Sequence, residues 1–419
     1  MRRLLILTSR DFLGFSNSRV HHLAHYFARI FAETAVIFRT HSWPQGGIPK
    51  AVKNFFTFEL QEKHRGSLRL LMVNPLGARR YGVATRLLRL RNPFEERPKG
   101  GKRLLQEIFA TLGAISDLLI IPSLLRAAKT LGKQEVLIAQ GPFEMYVGAI
   151  LKEKGLVDLF VCDDADYEPG FAPTRLRQKI LRWAERKGMQ KADLVVSVGE
   201  LLAARRRREY GLSNVHVIPN GVDWQHFYKA ALKKRNNLVL LYMGFLGGWS
   251  GLDLLLETLA LFKEQTGGLL SLLLAGHQDE FFFKDWQRRA REKEISFFYL
   301  GRLPYRELIK PLSRATIGWA MFPPVLLRKY AFPLKVVEYF AGGLAVLATE
   351  NTESGNTVTR WKAGFALPYD PQKVAEALTT LTRSPFLLEK LRANAISAAP
   401  FYDWKNLLRK YEELLKKYI

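Results

Sequence analysis

Short apolar runs recur along the chain, separated by segments with helical spacing. LLILT at 4–8, AVIFR at 35–39, LRLLMV at 68–73, EVLIA at 135–139, DLFVCD at 158–163 and DLVVSV at 193–198 each read as a strand covered on both faces, the pattern of a parallel sheet. Segments 20–31 and 175–187 between them carry apolar residues at helical intervals. After Pro219-Asn220-Gly221 comes a polar, basic stretch, KKRNN at 233–237, and the alternation restarts. LVLLYMG at 238–244, LLSLLLAG at 269–276, ISFFYLG at 295–301, TIGWAMF at 316–322 and LAVLAT at 344–349 predict a second sheet. The fold class is α/β, two doubly wound Rossmann-like units with a boundary near 230. They would span 1–230 and 231–400, followed by a helix over 401–419 whose Leu, Trp and Tyr lie three and four apart. Such folds bind ligands where strand C-termini meet, and a cleft between the two domains is the expected site.

Charge narrows the choice of partners. Lys and Arg number 64 against 39 Asp and Glu, a net +25 over 419 residues, so anionic partners are favoured. Between Lys63 and Arg103, 12 Lys or Arg face only Glu95 and Glu96. This stretch holds YGVATRLLRLRNPF at 81–94, and the apolar DLLIIPSLL follows at 117–125. A basic amphipathic segment beside an apolar one suits an anionic membrane surface; a solvated basic face next to a core helix is the alternative. RRRR at 205–208 could line a phosphate track, but no nucleic-acid module accompanies it. A solvated helix face explains it better, and no nucleic-acid partner is expected. The lone Cys162 excludes an internal disulfide or a cysteine zinc site and fits a reducing, cytoplasmic setting. MRRLLILTSRDF reads as a first strand and not a signal peptide. No stretch of about 18 apolar residues marks a spanning helix, so contact with a membrane would be peripheral, at its inner face.

Two segments carry chemistry. In LVLLYMGFLGGWSGLDLL at 238–255, Gly244, Gly247, Gly248 and Gly251 let backbone amides approach an anion at a helix start, although a flexible turn would look the same. In YAFPLKVVEYFAGGLAVLATE at 330–350, Pro333 fits the first position of a helix, which puts Lys335 in its first turn and Glu338 on the same face. An ammonium there can neutralise a diphosphate, and a carboxylate can accept hydrogen bonds from vicinal ribose hydroxyls. Spacing alone describes an exposed surface pair better.

HVIPNGVDWQHF at 216–227 resembles the interdomain signature of family 4 glycosyltransferases, enzymes of the GT-B fold. YMGFLGGWSGLDLLLETLALF is similar to the first loop and helix of their donor domain, and LLLAG to the next strand. FFYLGRLPYRELIKPLSRATIGWAMFPP resembles the base-binding loop and the segment before the donor helix, and the final FYDW their C-terminal crossover. The likeness is close over 190–419 and a matter of pattern before that. It implies a retaining transfer from a nucleoside diphosphate sugar, as co-substrate, to a sugar or lipid-linked hydroxyl acceptor, without a metal cofactor. Of the family's paired glutamates, the second falls on Glu338 and the first on Tyr330. Its phosphate-binding Arg and Lys fall on Phe245 and Ser250, so Lys335 is expected to replace both charges, with Arg302 as the next candidate. An inactive homologue acting as a scaffold or polyanion-binding protein is the alternative reading.

The donor-binding candidates are thus Gly244, Gly247, Gly248, Ser250, Arg302, Leu303, Tyr330, Phe332, Pro333, Leu334, Lys335 and Glu338. Ser16, Asn17 and Arg19, in DFLGFSNSRVHHLAHYFA at 11–28, are acceptor-side candidates. CDDADYEPG at 162–170 places Asp163, Asp164 and Asp166 after a strand end. A metal cluster is conceivable there, but acidic turn residues are commoner. Asp164 and Asp166 join Lys335 and Glu338 as catalytic candidates on the acceptor side, with no metal assigned. His21 and His25, four apart and without further ligands, read as ordinary helix-face histidines.

Overall fold

The structure, a computed structural model, describes residues 2–13, 18–39, 59–74, 118–172, 174–233, 235, 237–332 and 334–419. The chain divides into two compact units, Met1–Ile218 with Tyr411–Ile419, and Pro219–Lys410.

The first unit runs β1 (Arg3–Thr8), α1 (Arg19–Phe27), β2 (Glu33–Arg39), β3 (Glu59–Arg65), β4 (Leu68–Asn74), α2 (Ile120–Lys129), β5 (Gln134–Gln140), α3 (Pro142–Glu153), β6 (Val157–Asp164), α4 (Arg175–Lys191), β7 (Leu194–Ser197), α5 (Glu200–Tyr210) and β8 (Val215–Val217). Its sheet has the order β3-β4-β2-β1-β5-β6-β7-β8, parallel except where β3 pairs antiparallel with β4. Leu4 to Leu7, Ala35 to Phe38 and Val136 to Ala139 are buried. Helices cover both faces of these strands, hence their unbroken apolar runs.

Two consecutive carboxylates end β6, and neighbouring strand residues project to opposite faces. Asp163 accepts from Arg19 Nε at 2.9 Å, from Gln140 Nε2 at 2.9 Å and from the Tyr411 hydroxyl at 3.4 Å. Arg19 also donates to Ile218 O. Asp164 is held by Arg206 Nε and Nη2, both at 3.0 Å, and by Ser197 Oγ at 2.9 Å. The other edge of the Arg206 guanidinium grips Glu185 at 2.7 and 2.9 Å, and Tyr210 donates to the same carboxylate. Arg206 is fully buried and Arg205 nearly so. The tetra-arginine run is therefore not a solvated face throughout, because Arg205 and Arg206 turn inward to satisfy carboxylates, whereas Arg207 and Arg208 stay exposed.

The apolar run at 117–125 enters α2, whose Ile120, Leu124, Ala127 and Ala128 belong to the core. It behaves as a core helix. Most of the basic segment, 75–103, lies outside the described residues.

The second unit runs α6 (Trp224–Ala231), β9 (Val239–Met243), α7 (Leu252–Thr266), β10 (Ser271–Ala275), α8 (Glu280–Glu292), β11 (Phe297–Tyr299), α9 (Ile309–Leu312), β12 (Ile317–Ala320), α10 (Leu326–Tyr330), α11 (Leu334–Ala341), β13 (Ala345–Thr349), α12 (Glu353–Trp361), β14 (Gly364–Leu367), α13 (Pro371–Arg383), α14 (Pro385–Ala398) and α15 (Trp404–Lys416). Its sheet is all parallel, in the order β11-β10-β9-β12-β13-β14. The order reverses between β9 and β12, so the ends of these strands form the switch point where such sheets bind ligands. The division at Ile218 precedes the expected boundary near 230, since α6 packs on α9 and α11 of the second unit. The last division falls inside α15, at Tyr411 and not at 401.

Removing one partner of a buried ion pair strands the others. Arg206→Met is therefore expected to cost about 3–5 kcal/mol in urea unfolding, whereas Arg208→Met at the exposed position should stay within about 0.5 kcal/mol.

Candidate active site

The switch point of the second unit is wedged open by a tyrosine. β12 pairs with β9 through Ile317 and Gly318. Beyond that, the Tyr339 hydroxyl accepts the Met243 N–H at 3.0 Å and donates to Trp319 O at 3.3 Å. A methyl group on Gly318 would stand 2.4 Å from the Tyr339 ring, so glycine is what lets the ring lie against the strand. This contact fixes α11, whose Val336, Val337, Tyr339 and Phe340 are buried, and so fixes the direction of Lys335 and Glu338.

Lys335 Nζ lies 4.3 Å from the centre of the Tyr242 ring and 4.5 Å from that of Phe322. A methyl at Gly244, where φ is 138°, would come within 2.8 Å of the same nitrogen. The ammonium thus sits directly under the loop that leaves β9. Phe322 is held by Thr349, whose hydroxyl accepts the Phe322 N–H and donates to its carbonyl, both at 2.8 Å. Among the described residues no hydrogen bond or ion pair engages the Lys335 ammonium or the Glu338 carboxylate. Burial pushes Lys335 well below its usual range; Arg328 pushes it further and Glu338 opposes them. Burial also raises Glu338 to about 7, against the pull of Lys335. Ionisable groups perturbed by burial at a strand-end switch point are what make this corner the candidate site.

The loop itself is built by backbone contacts. Gly251, at φ 77°, opens α7 so close to β12 that a methyl there would meet Met321 O at 1.9 Å. Tyr242 donates to Phe245 O at 2.7 Å. Ser250, a donor-binding candidate, is fully buried and its hydroxyl donates to Gly247 O; it closes the turn instead of facing a ligand. Phe245 stacks on Trp249 at 4.7 Å. Gly247 is buried against the Phe245 ring, 2.3 Å from where a methyl would stand, and Gly248 is half-buried.

The remaining candidates scatter. Leu334, half-buried, opens α11, and Pro333 lies outside the described residues. Tyr330 is buried, and Phe332 packs on Tyr402 at 5.8 Å, so both rings belong to the interior. Arg302 is exposed and Leu303 half-buried, in the loop past β11; the adjoining Gly301 O accepts the Gly276 N–H. In the first unit, Asp164 is committed to Arg206 and Ser197, and Arg19 to Asp163 and Ile218 O. These two are structural, because buried charges in that sheet must be paired. Asp166 pairs with Arg10 at 3.1 Å. Ser16 and Asn17 lie outside the described residues. His21 bonds Ser18 Oγ and Phe12 O, and no metal-competent group of three ligands forms among the described residues. Sequence reading missed Tyr242, Phe322, Tyr339 and Thr349. Position at or just past a strand end was the signal available for Tyr242, Phe322 and Thr349.

Residues 225–400 match the family described as glycosyl transferases group 1, and residues 87–226 match glycosyltransferase family 4. The chain belongs to the family 4 glycosyltransferases. Similar solved structures include a sucrose-phosphate synthase from Thermosynechococcus elongatus, 15% identical, with 100% of this chain and 99% of that one covered at a TM-score of 0.70. HepE from Anabaena, in complex with UDP and glucose, is 16% identical with both chains fully covered and a TM-score of 0.66. A UDP-forming α,α-trehalose-phosphate synthase from Burkholderia vietnamiensis is 13% identical, covering 100% of this chain and 99% of that one at 0.70. At these identities the likeness shows the fold, which is GT-B. No curated protein matches this glycosyltransferase in sequence. Among its described residues no helix is long and apolar enough to cross a membrane.

Tyr339→Phe keeps the ring but leaves the buried Met243 N–H without its acceptor. A loss of about 1–3 kcal/mol is expected in denaturant unfolding.

Proposed function

We propose that this glycosyltransferase moves a hexose from a nucleoside diphosphate sugar to a hydroxyl acceptor, with retention of anomeric configuration. Lys335 takes the diphosphate beneath the 244–251 loop and Glu338 takes the ribose hydroxyls, with the base towards the 301–305 loop. In the reaction, the bond from the anomeric carbon to the phosphate oxygen breaks as the bond to the acceptor oxygen forms. The acceptor proton passes to a phosphate oxygen of the leaving group. Stabilising the charge that develops on that phosphate is the largest task of such a site, and the Lys335 ammonium supplies it without a metal. The observation that carries this reading is the buried Lys335 and Glu338 at the switch point, neither engaged by a hydrogen bond or ion pair among the described residues, on one face of α11 under a glycine loop. The solved complexes of HepE with UDP-glucose and with UDP and glucose support a sugar nucleotide as donor.

The acceptor in this proposal is lipid-linked or a cell-surface glycan precursor, met at the cytoplasmic face of an anionic membrane. The charge of the 63–103 segment supports that placement. The burial of α2 withdraws the apolar half of that argument. A nucleic-acid track is disfavoured because Arg205 and Arg206 face inward.

Calorimetry with UDP, GDP and ADP and their sugar conjugates tests the donor site. Micromolar binding of one nucleotide is expected, weakened roughly tenfold to a hundredfold in Glu338→Gln and in Lys335→Ala, the range of a lost charge-assisted hydrogen bond. No binding by folded wild type would leave the scaffold reading standing. Binding also carries a pH signature. The ionised Glu338 is the better acceptor for two hydroxyls, and burial raises its carboxyl to about 7. Affinity for the nucleotide sugar should therefore rise as pH increases through that value and fall again where Lys335, itself pushed well below its usual range, loses its proton; Glu338→Gln should remove the rising limb and leave the falling one.

A further inference from the structure

The 17 residues of α4, RLRQKILRWAERKGMQK, hold seven cations and a single carboxylate. That carboxylate, Glu185, is buried and taken by Arg206, so nothing acidic on α4 reaches its outer surface. Leu181, Ala184, Gly188 and Met189 face the core, and a methyl on Gly188 would stand 2.5 Å from Met145 Cβ of α3. The outer face carries two adjoining rows. Arg175, Lys179, Arg182 and Arg186 recur at intervals of four, three and four, and Leu176, Trp183 and Lys187 at intervals of seven and four, the repeat of one helix side. All of them are exposed, Leu176 at 43% and Trp183 at 42%. The indole is held in place by Tyr146 of α3, with ring centres 4.6 Å apart. Phe171, in the single turn Glu168–Phe171 that packs against α4, is a further exposed apolar side chain.

Like charges four residues apart destabilise a helix, and α4 sets Arg175 against Lys179, Arg182 against Arg186 and Lys187 against Lys191 in this way. Arg182 and Lys191 have counter-charges, Glu209 at 3.5 Å and Glu153 at 2.9 Å. Arg175, Lys179, Arg186 and Lys187 make no hydrogen bond or ion pair among the described residues. An anionic surface laid along the helix relieves such a row. A nucleic-acid phosphate track would answer the cations and leave Leu176 in water, because an aliphatic side chain cannot stack on a base. An acidic bilayer answers both rows. Its headgroup phosphates take the cations, and its headgroup boundary takes Leu176 and an indole whose apolar body ends in a polar N–H. α4 follows the C-terminal end of β6, the side on which such sheets take ligands, so a bilayer on this helix runs up to that side of the unit.

We propose that the outer face of α4 is a contact surface for an anionic lipid bilayer, with Arg175, Lys179, Arg186 and Lys187 at the headgroup phosphates and Leu176 and Trp183 at the edge of the acyl chains. This rests on the membrane placement of the acceptor proposed above, gives that placement a surface among the described residues, and does not depend on the donor site.

The test is co-sedimentation of the full chain with vesicles of phosphatidylcholine alone and of phosphatidylcholine mixed with phosphatidylglycerol. Binding is expected to the mixed vesicles only. It should fall about tenfold or more in the double variant Lys179→Gln, Arg186→Gln, and stay within about twofold when the same charge is removed from exposed positions of the second unit in Lys284→Gln, Lys390→Gln. Leu176→Ser should also weaken it, and lipid brominated in its acyl chains should quench a part of the tryptophan emission that Trp183→Phe removes. Thermal unfolding of each variant shows that it is folded, and UDP binding, measured alongside, should be the same in all of them. Undiminished vesicle binding by the folded Lys179→Gln, Arg186→Gln variant would overturn the proposal and assign the membrane contact to another surface. No vesicle binding by the wild type would overturn it together with the membrane placement. Tighter binding of a single-stranded oligonucleotide than of vesicles, weakened in the same variant, would overturn it in favour of nucleic acid.

Discussion

A carboxylate at the dry end of a strand stays ionised only where a cation meets it, and the first unit meets two in succession. Asp163 and Asp164 leave β6 on opposite faces, and each receives its own arginine, Arg19 from α1 and Arg206 from α5. Much else in that unit follows. Glu185 on α4, Ser197 on β7, Gln140 on β5 and Tyr210 on α5 are all drawn into the two networks. These charges are saturated by the protein, which is why they belong to stability and not to chemistry.

The second unit treats its strand ends differently. Tyr339 and Gly318 hold β9 and β12 apart with a hydroxyl and a ring, and into the opened corner the fold places Lys335 and Glu338, with the Tyr242 and Phe322 rings beside the ammonium and no hydrogen bond or ion pair on either charge among the described residues. Rigid positioning by buried neighbours combined with incomplete charge matching is what sets the proposed donor site apart from the paired carboxylates of the first unit. The same chain thus shows both solutions to one electrostatic problem.

Much of this was legible in the sequence. Runs such as LLILT and LVLLYMG announce parallel strands because both faces are buried, and Lys335 with Glu338 share a helix face by spacing alone. β3, ELQEKHR, escaped because an exposed antiparallel edge strand carries no apolar signature. β8 and β14 escaped because three or four residues are too few for periodicity to speak. Arg206 and Arg208 read identically in the run RRRR, and only the tertiary position of Asp164 and Glu185 tells the inward one from the outward one. Ser250 was a donor-binding candidate from the resemblance, and only the folded loop shows its hydroxyl spent on a turn. Tyr339 was invisible because its meaning comes from Met243 and Trp319, brought beside it by the sheet.

The last nine residues, 411–419, count with the first unit, and Tyr411 reaches the buried Asp163 while its ring packs edge-on against Phe27 at 5.9 Å. The first unit therefore depends on residues that follow the whole of the second in the chain. Residues 1–218 by themselves lack one of Asp163's donors, so during synthesis that unit reaches its final packing only after the second unit has been made.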